Sequence, residues 1–321
     1  MTDPTPSPIL DKGVSLWSDA FSRLRKNKLA MLGGLIVLLI LSACFILTPI
    51  LSFFYDLDAN QQDLNNRFAP PGKSGLLGTD QLGRDMLMRV LEGGQISLLV
   101  AILSTSLTVA IGTVYGGIAG YVGGRTENIM MRIVDGFLAM PFLIIIILFR
   151  ELITPQVDLF GKWLVDSFAI DANLVIRFSN LAPLILAIGA FGWLAMGRIV
   201  RTAAASLRRQ EFVEAAKSLG LSHRRILFRH LLPNMLGPII IYATLTIPSF
   251  ILYEATLSFI GLGIEPPNSS WGILIKEGAN FLESNTTILA IPAILFSITL
   301  FAFNFLGDGL RDALDPKSSS D

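Results

Sequence analysis

The sequence predicts an all-α polytopic membrane protein with six transmembrane helices and both termini in the cytoplasm. Three observations lead there. The first is composition: of 321 residues, 52% are hydrophobic and only 16% charged, with a mean hydropathy of +0.61. An average soluble chain carries about 25% charged residues. The second is a set of six apolar runs separated by polar connections. The third is an uneven distribution of Lys and Arg between alternate connections. Formal net charge is zero, so bulk charge gives no reason to expect a nucleic-acid partner.

Residues 1–28 form a polar leader with Pro4, Pro6 and Pro8, then a basic cluster at Arg23, Arg25, Lys26 and Lys28. The first apolar run, residues 29–54, would be ~39 Å long as a helix, enough to cross a hydrocarbon core of ~30 Å with tilt. A cleavable signal peptide would have a shorter apolar core. Leu41, Ser42, Ala43 and Cys44 have the order of a lipoprotein cleavage box, but the apolar run continues past them to Phe54. Cys44, the only cysteine, reads as an ordinary buried thiol.

Residues 55–94 are a polar connection with a turn at Pro70, Pro71 and Gly72. Gly72, Lys73 and Ser74 are similar to the end of a phosphate loop. Arg67 stands where that loop needs a glycine, so no nucleotide site is expected. The run Gly78, Thr79, Asp80, Gly83, Arg84 and Asp85 reads either as a capped turn before a short interfacial helix at 86–91 or as a direct substrate contact.

The second span covers 96–120, where Gly112, Gly116 and Gly120 recur every fourth residue and offer a close-packing face. The third, 129–149, begins with Arg132 and Asp135, which are spaced to pair on one helix face. Residues 150–179 are expected to form a second outer connection with a short amphipathic piece at 159–165. The fourth span is 181–200, the fifth 236–262 with Pro238 and Pro248, and the sixth 288–306 with Pro292.

Between the fourth and fifth spans lies the longest charge-rich interval, 201–235. Local pattern predicts two short helices. The first runs through Phe212, Val213, Ala215, Ala216 and Leu219, with Gly220 as a left-handed cap. Ser222 caps the second, and Pro233 closes the motif. The stretch from Arg198 to Arg229 holds eight basic residues. The N-terminus, the connection with Arg125 and Arg132, and the C-terminus share its side, which places that side in the cytoplasm.

The spacing Glu214, Ala215, Ala216, then Gly220, His230, Leu232 and Pro233 resembles the EAA loop of ATP-binding-cassette importer permeases. The form around Arg229, His230, Leu231, Leu232, Pro233 and Asn234 is similar to the peptide and nickel branch of that family, as are the 78–85 run and the tail from Gly307 to Pro316. The resemblance implies a type I importer permease fold and a C-type subunit of a dipeptide or oligopeptide importer in a prokaryotic inner membrane. It implies a leader at 1–28, a first helix at 29–54, an extracytoplasmic connection at 55–94, a core domain at 95–308 with the coupling loop at 201–235, and a tail at 309–321. It also implies a paralogous permease partner, two cytoplasmic ATP-binding subunits and an extracytoplasmic solute-binding protein, all in membrane lipid. No cofactor would be bound by this chain, with ATP and Mg on the partner subunits. On residue chemistry alone, Glu214 can pair with Lys217 as readily as it can meet an ATPase surface.

No enzyme constellation is present. Both histidines, His223 and His230, lie in the coupling interval, so no histidine metal cluster or triad forms within the spans. The one ionisable residue deep in a span is Glu254, read evenly as a lining of the translocation path or as a packing hydrogen bond. Asn304 in the sixth span is a candidate for the path or for a helix–helix hydrogen bond. Two alternatives stand beside peptide import: the same machine moving nickel or another small solute, and an ion-gradient carrier or channel. The latter would call for more intramembrane charges and an inverted repeat.

Overall fold

A computed structural model describes residues 16–168, 170–265 and 268–314. The leader prolines and the end of the tail lie outside the described residues. Among the described residues there are no strands, only helices and one isolated bridge between Thr79 and Asp85.

A surface helix, α1 (Leu16–Lys26), precedes α2 (Lys28–Tyr55), which Asn27 caps by accepting from the Ala30 amide. Pro49 sits inside α2 without breaking it. A π-helical turn at Ala43–Leu47 precedes it, and Thr48 donates back to the Ala43 carbonyl, five residues away. The wider turn absorbs the register disturbance that a proline imposes on an α-ladder. Cys44 faces the core and is fully buried.

Asp85 caps α3 (Met86–Val122) by accepting from the Met88 amide at 2.9 Å. The expected short interfacial helix and the second span are thus one continuous helix. Apolar residues keep helical spacing from Met86 onward, and Arg89 finds ionic partners that let it stay within the helix.

The third expected span, 129–149, is corrected. It divides into α4 (Gly124–Leu138) and α5 (Phe142–Phe168), bent by 92° at the break. Pro141 explains the bend: it has no amide to donate and disfavours helix in the residue before it. The expected pair of Arg132 and Asp135 is replaced by an ion pair between Asp135 and Arg198. The expected outer connection at 150–179 is also helical. Residues 150–168 continue α5, and residues from 172 onward open α6 (Ala172–Leu207). Arg150, nearly buried, donates to the Gly263 carbonyl at 3.0 Å and pairs with Glu151 at 2.7 Å, while Asp158, Lys162 and Asp166 stay exposed on the helix surface.

The polar interval forms α7 (Glu211–Ser218) and α8, residues 223–234. Next come α9 (Leu236–Phe259), the short α10 (Trp271–Ala279) and α11 (Thr286–Leu314). Among the described residues, five helices are long and apolar enough to cross a membrane, or up to six if the bent pair α4 and α5 counts as one span.

The pairing of α3 with α6 forms the centre of the bundle. Gly112 and Gly116 make this approach possible. A Cβ on Gly112 would fall 2.6 Å from Met196 Cγ, and one on Gly116 would strike the Gly197 carbonyl. Ser104 and Thr108 add hydrogen bonds to the Ile185 and Gly189 carbonyls across the same seam. Small residues and hydroxyls are the usual devices for helix association in lipid, where apolar side chains gain little by leaving hydrocarbon. On the other side, α2 packs on α11, with Gly33 set against the Ala302 carbonyl.

Candidate functional site

The polar interval is built as a rigid hook. Gly220 adopts φ +73°. Its amide donates to the Lys217 carbonyl at 2.9 Å, and the Leu221 amide donates to the Ala216 carbonyl at 3.2 Å. These two bonds form a Schellman cap, satisfying carbonyls that the end of α7 would leave free. Ser222 then caps α8 through the Arg225 amide. The expected termination at Pro233 is corrected: Leu232 is helical and α8 runs through the proline to Asn234. A π-helical turn at Ile226–Leu231 precedes it, with the Leu232 amide reaching back to the Leu227 carbonyl. This repeats the arrangement around Pro49.

The hook has an anchored face and a free face. Val213, Ala216, Ile226 and Leu231 are fully or nearly fully buried against α6 and one another. Glu214 and Ala215 are exposed, and so are Phe212 and Leu219, the latter at 80%. Glu214 makes no ion pair with Lys217 among the described residues. Lys217 instead lies over the Tyr121 ring, 5.8 Å from its centroid. His230 and Leu232 are half-buried and Pro233 is exposed. His230 contributes its carbonyl, which accepts from Asn234 at 2.7 Å.

Glu254 lies elsewhere, in the interior between α3, α9 and α10. It is fully buried and accepts from Ser97 and Ser258, each at 2.7 Å. Ser97 in turn accepts from the Trp271 amide at 3.2 Å. These bonds tie α9 to α3 and, through the Trp271 amide, to α10. Asn304 is exposed on α11 beside Phe301 and Phe305, and no side-chain bond among the described residues engages it. The structure therefore does not bring Glu254 and Asn304 together with the hook residues.

One constellation escaped sequence reasoning. Asp80, fully buried, accepts from the Leu82 and Arg84 amides and pairs with Arg84 at 2.6 Å and Arg89 at 2.7 Å. Arg89 also pairs with Glu277 of α10 at 2.7 Å. The run at 78–85 is thus a capped turn, as one of its two readings had it, and an ionic clasp that holds α10 against α3. The only advance signal was Arg89 itself, a cation on the apolar-periodic stretch at the head of the second span.

Among the described residues, a strandless bundle of up to six crossings, with a capped helix pair between the fourth and fifth, has the architecture of an ATP-binding-cassette importer permease. A solved chain of the inward-facing MetNI methionine ABC transporter shares the fold, with a TM-score of 0.51 at 20% identity over 72% of this chain and 98% of that chain.

Closer relatives agree. The oligopeptide transport system permease protein OppC of Haemophilus influenzae is 42% identical over 95% of this chain and 90% of its own length. The dipeptide transport system permease protein DppC of Bacillus subtilis is 39% identical over 95% and 87%. Residues 112–320 match the family described as binding-protein-dependent transport system inner membrane component. Residues 15–71 match the N-terminal transmembrane domain of oligopeptide transport permease C. The chain belongs to this family of binding-protein-dependent permeases. It is a permease subunit, as its relatives are, and not itself the ATPase.

Proposed function

We propose that this chain is the C-type half of the translocation path of a di- or oligopeptide importer in a prokaryotic inner membrane. The peptide relatives support the substrate class over nickel or a gradient-driven carrier. In this reading a paralogous permease supplies the other half of the path. Two cytoplasmic ATP-binding subunits, carrying ATP and Mg, drive it, and an extracytoplasmic binding protein delivers peptide. Both termini and the hook face the cytoplasm, where the eight basic residues of 198–229 favour that side.

The observation that carries the proposal is the free face of α7. Phe212, Ala215 and Leu219 leave the body of the chain uncovered next to Glu214, on a helix whose end is fixed by the Gly220 cap. Exposed apolar side chains on a rigid projection suit insertion into a groove of a partner. The buried face ties the same projection to α6 and, through α8, to α9. A push on the hook therefore moves two spans as bodies, which is how ATP-driven closure of the partners could switch the path.

Co-purification from the native host tests this. The wild-type chain, extracted in mild detergent, is expected to bring a second permease and an ATPase pair. Glu214→Arg and Leu219→Asp are expected to lose the ATPases and keep the paralogue. A wild-type chain that purifies alone and moves solute without ATP would overturn the reading.

A further inference from the structure

Beside the hook lies a cavity of about 680 Å³ with two chemically distinct zones. Its rim is cationic. Arg208, Lys217 and Arg224 line it together with His223, and no acidic side chain takes part. Its floor is apolar, made by Ile118 and Val122 at the end of α3 and by Leu227 and Phe228 of α8.

The floor does not end at the cavity. Val114, Ile118 and Val122 recur every four residues on α3 and are 44%, 37% and 53% exposed. They form one apolar stripe that continues from the cavity along α3, a helix long and apolar enough to cross a membrane.

We propose that this cavity holds an anionic glycerophospholipid of the surrounding leaflet. The phosphodiester sits among Arg208, Lys217 and Arg224, and an acyl chain runs down the Val114, Ile118 and Val122 stripe. The charge complementarity is one-sided and strong at an interface where basic residues attract anionic headgroups. The stripe, on a helix long and apolar enough to cross a membrane, suits an acyl chain directly below a cationic rim. Three of the rim residues, Arg208, Lys217 and His223, are already held in place around Tyr121. Arg208 donates to the Tyr121 carbonyl at 3.3 Å, Lys217 lies over the Tyr121 ring, and Tyr121 OH and His223 Nδ1 are 2.8 Å apart. A lipid seated there would bridge the end of α3 to both helices of the hook. That consequence rests on the coupling role proposed above; the site itself does not.

The test uses the whole transporter in nanodiscs of equal parts phosphatidylglycerol and phosphatidylcholine, with retained lipids counted by native mass spectrometry. Wild type is expected to keep phosphatidylglycerol in preference. The double variant Lys217→Glu with Arg224→Glu is expected to weaken that retention at least tenfold, on the order expected for losing and reversing two interfacial cations. Arg225→Glu, an equal charge change at an exposed neighbour outside the cavity, is expected to retain it. Unchanged phosphatidylglycerol retention in the double variant would overturn the proposal. So would a double variant that sheds ATPase subunits while keeping its lipid, since the cavity would then be a protein contact. If no ATPase accompanies wild type, the coupling reading fails, and the lipid count on the chain still reports on the cavity.

Discussion

The Glu254 carboxyl and the Ser97 hydroxyl are 2.7 Å apart inside the bundle, joining the fifth span to the second. Ser97 passes the connection on by accepting from the Trp271 amide at the start of α10. Trp271 is itself fully buried and donates its indole N–H to the Val90 carbonyl at 2.9 Å. Glu254 thus anchors the short helix that lies between the last two spans, and its polar atoms are satisfied within one chain.

Removal of Glu254 is expected to cost stability first. Glu254→Ala opens a cavity and leaves Ser97 and Ser258 without their acceptor, a combined loss of about 2–5 kcal/mol. Glu254→Gln keeps the volume and one acceptor oxygen, and should cost less. Thermal unfolding of the purified complex reads the difference as a lower Tm for alanine than for glutamine. A variant with wild-type Tm and altered peptide transport would favour the path-lining role.

The ionic clasp makes a different prediction, because its members are buried to different degrees. Asp80 and Arg89 have side chains 0% and 4% exposed, while Glu277 is 27% exposed. Asp80→Ala strands the Arg89 guanidinium next to a single partly wet partner, which should cost about 3–5 kcal/mol. Removing both charges should cost less than the sum of the single changes. A double-mutant cycle on unfolding measures the coupling. Additive single changes would mean the clasp is incidental.

How much of this was legible in the sequence differs from element to element. The centres of five spans follow from apolar runs that no soluble fold could accommodate, and the Gly112, Gly116 and Gly120 spacing pointed correctly to a backbone contact. Two local signals were outweighed. Pro141 lies in an apolar stretch that reads as one span, although the proline alone suffices to bend it. The charges from Arg150 onward read as a loop, and the partner that lets Arg150 itself be buried, the Gly263 carbonyl, lies 113 residues away. Pro233 misled in the opposite direction, since the π-turn that accommodates it has no compositional signature. Within the candidate site, the caps at Gly220 and Ser222 were legible because capping is local. The pairing of Arg89 with Glu277 spans 188 residues, so nothing local could have announced it.

Packing of α3 on α6 can be tested at Gly116. A side chain there meets the Gly197 carbonyl and the Arg201 amide, both backbone atoms that cannot rotate away. Gly116→Leu should therefore force the two helices apart, at a cost of about 1–3 kcal/mol or more. Gly136, on α4, has open space around it: a Cβ there would meet nothing within 4 Å. Gly136→Leu should leave the yield and Tm of the folded complex close to wild type. Equal behaviour of the two variants would show that the seam does not depend on close approach.

The cap at Gly220 separates backbone strain from steric clash. A Cβ added there meets nothing within 4 Å, so substitution encounters no obstacle in this chain. The cost comes only from φ +73°, where a residue with a Cβ is disfavoured by about 1–2 kcal/mol. Asn tolerates the left-handed region better than other residues with side chains. Gly220→Ala should therefore loosen the end of α7 more than Gly220→Asn, although Asn is the larger side chain. Hydrogen exchange at the Leu221 amide, which donates to Ala216, reads the loosening directly. ATPase retention on purification should follow the same order: glycine, then asparagine, then alanine. If retention instead falls with side-chain size, the partner's groove presses on this position, and steric contact rather than the cap governs the coupling.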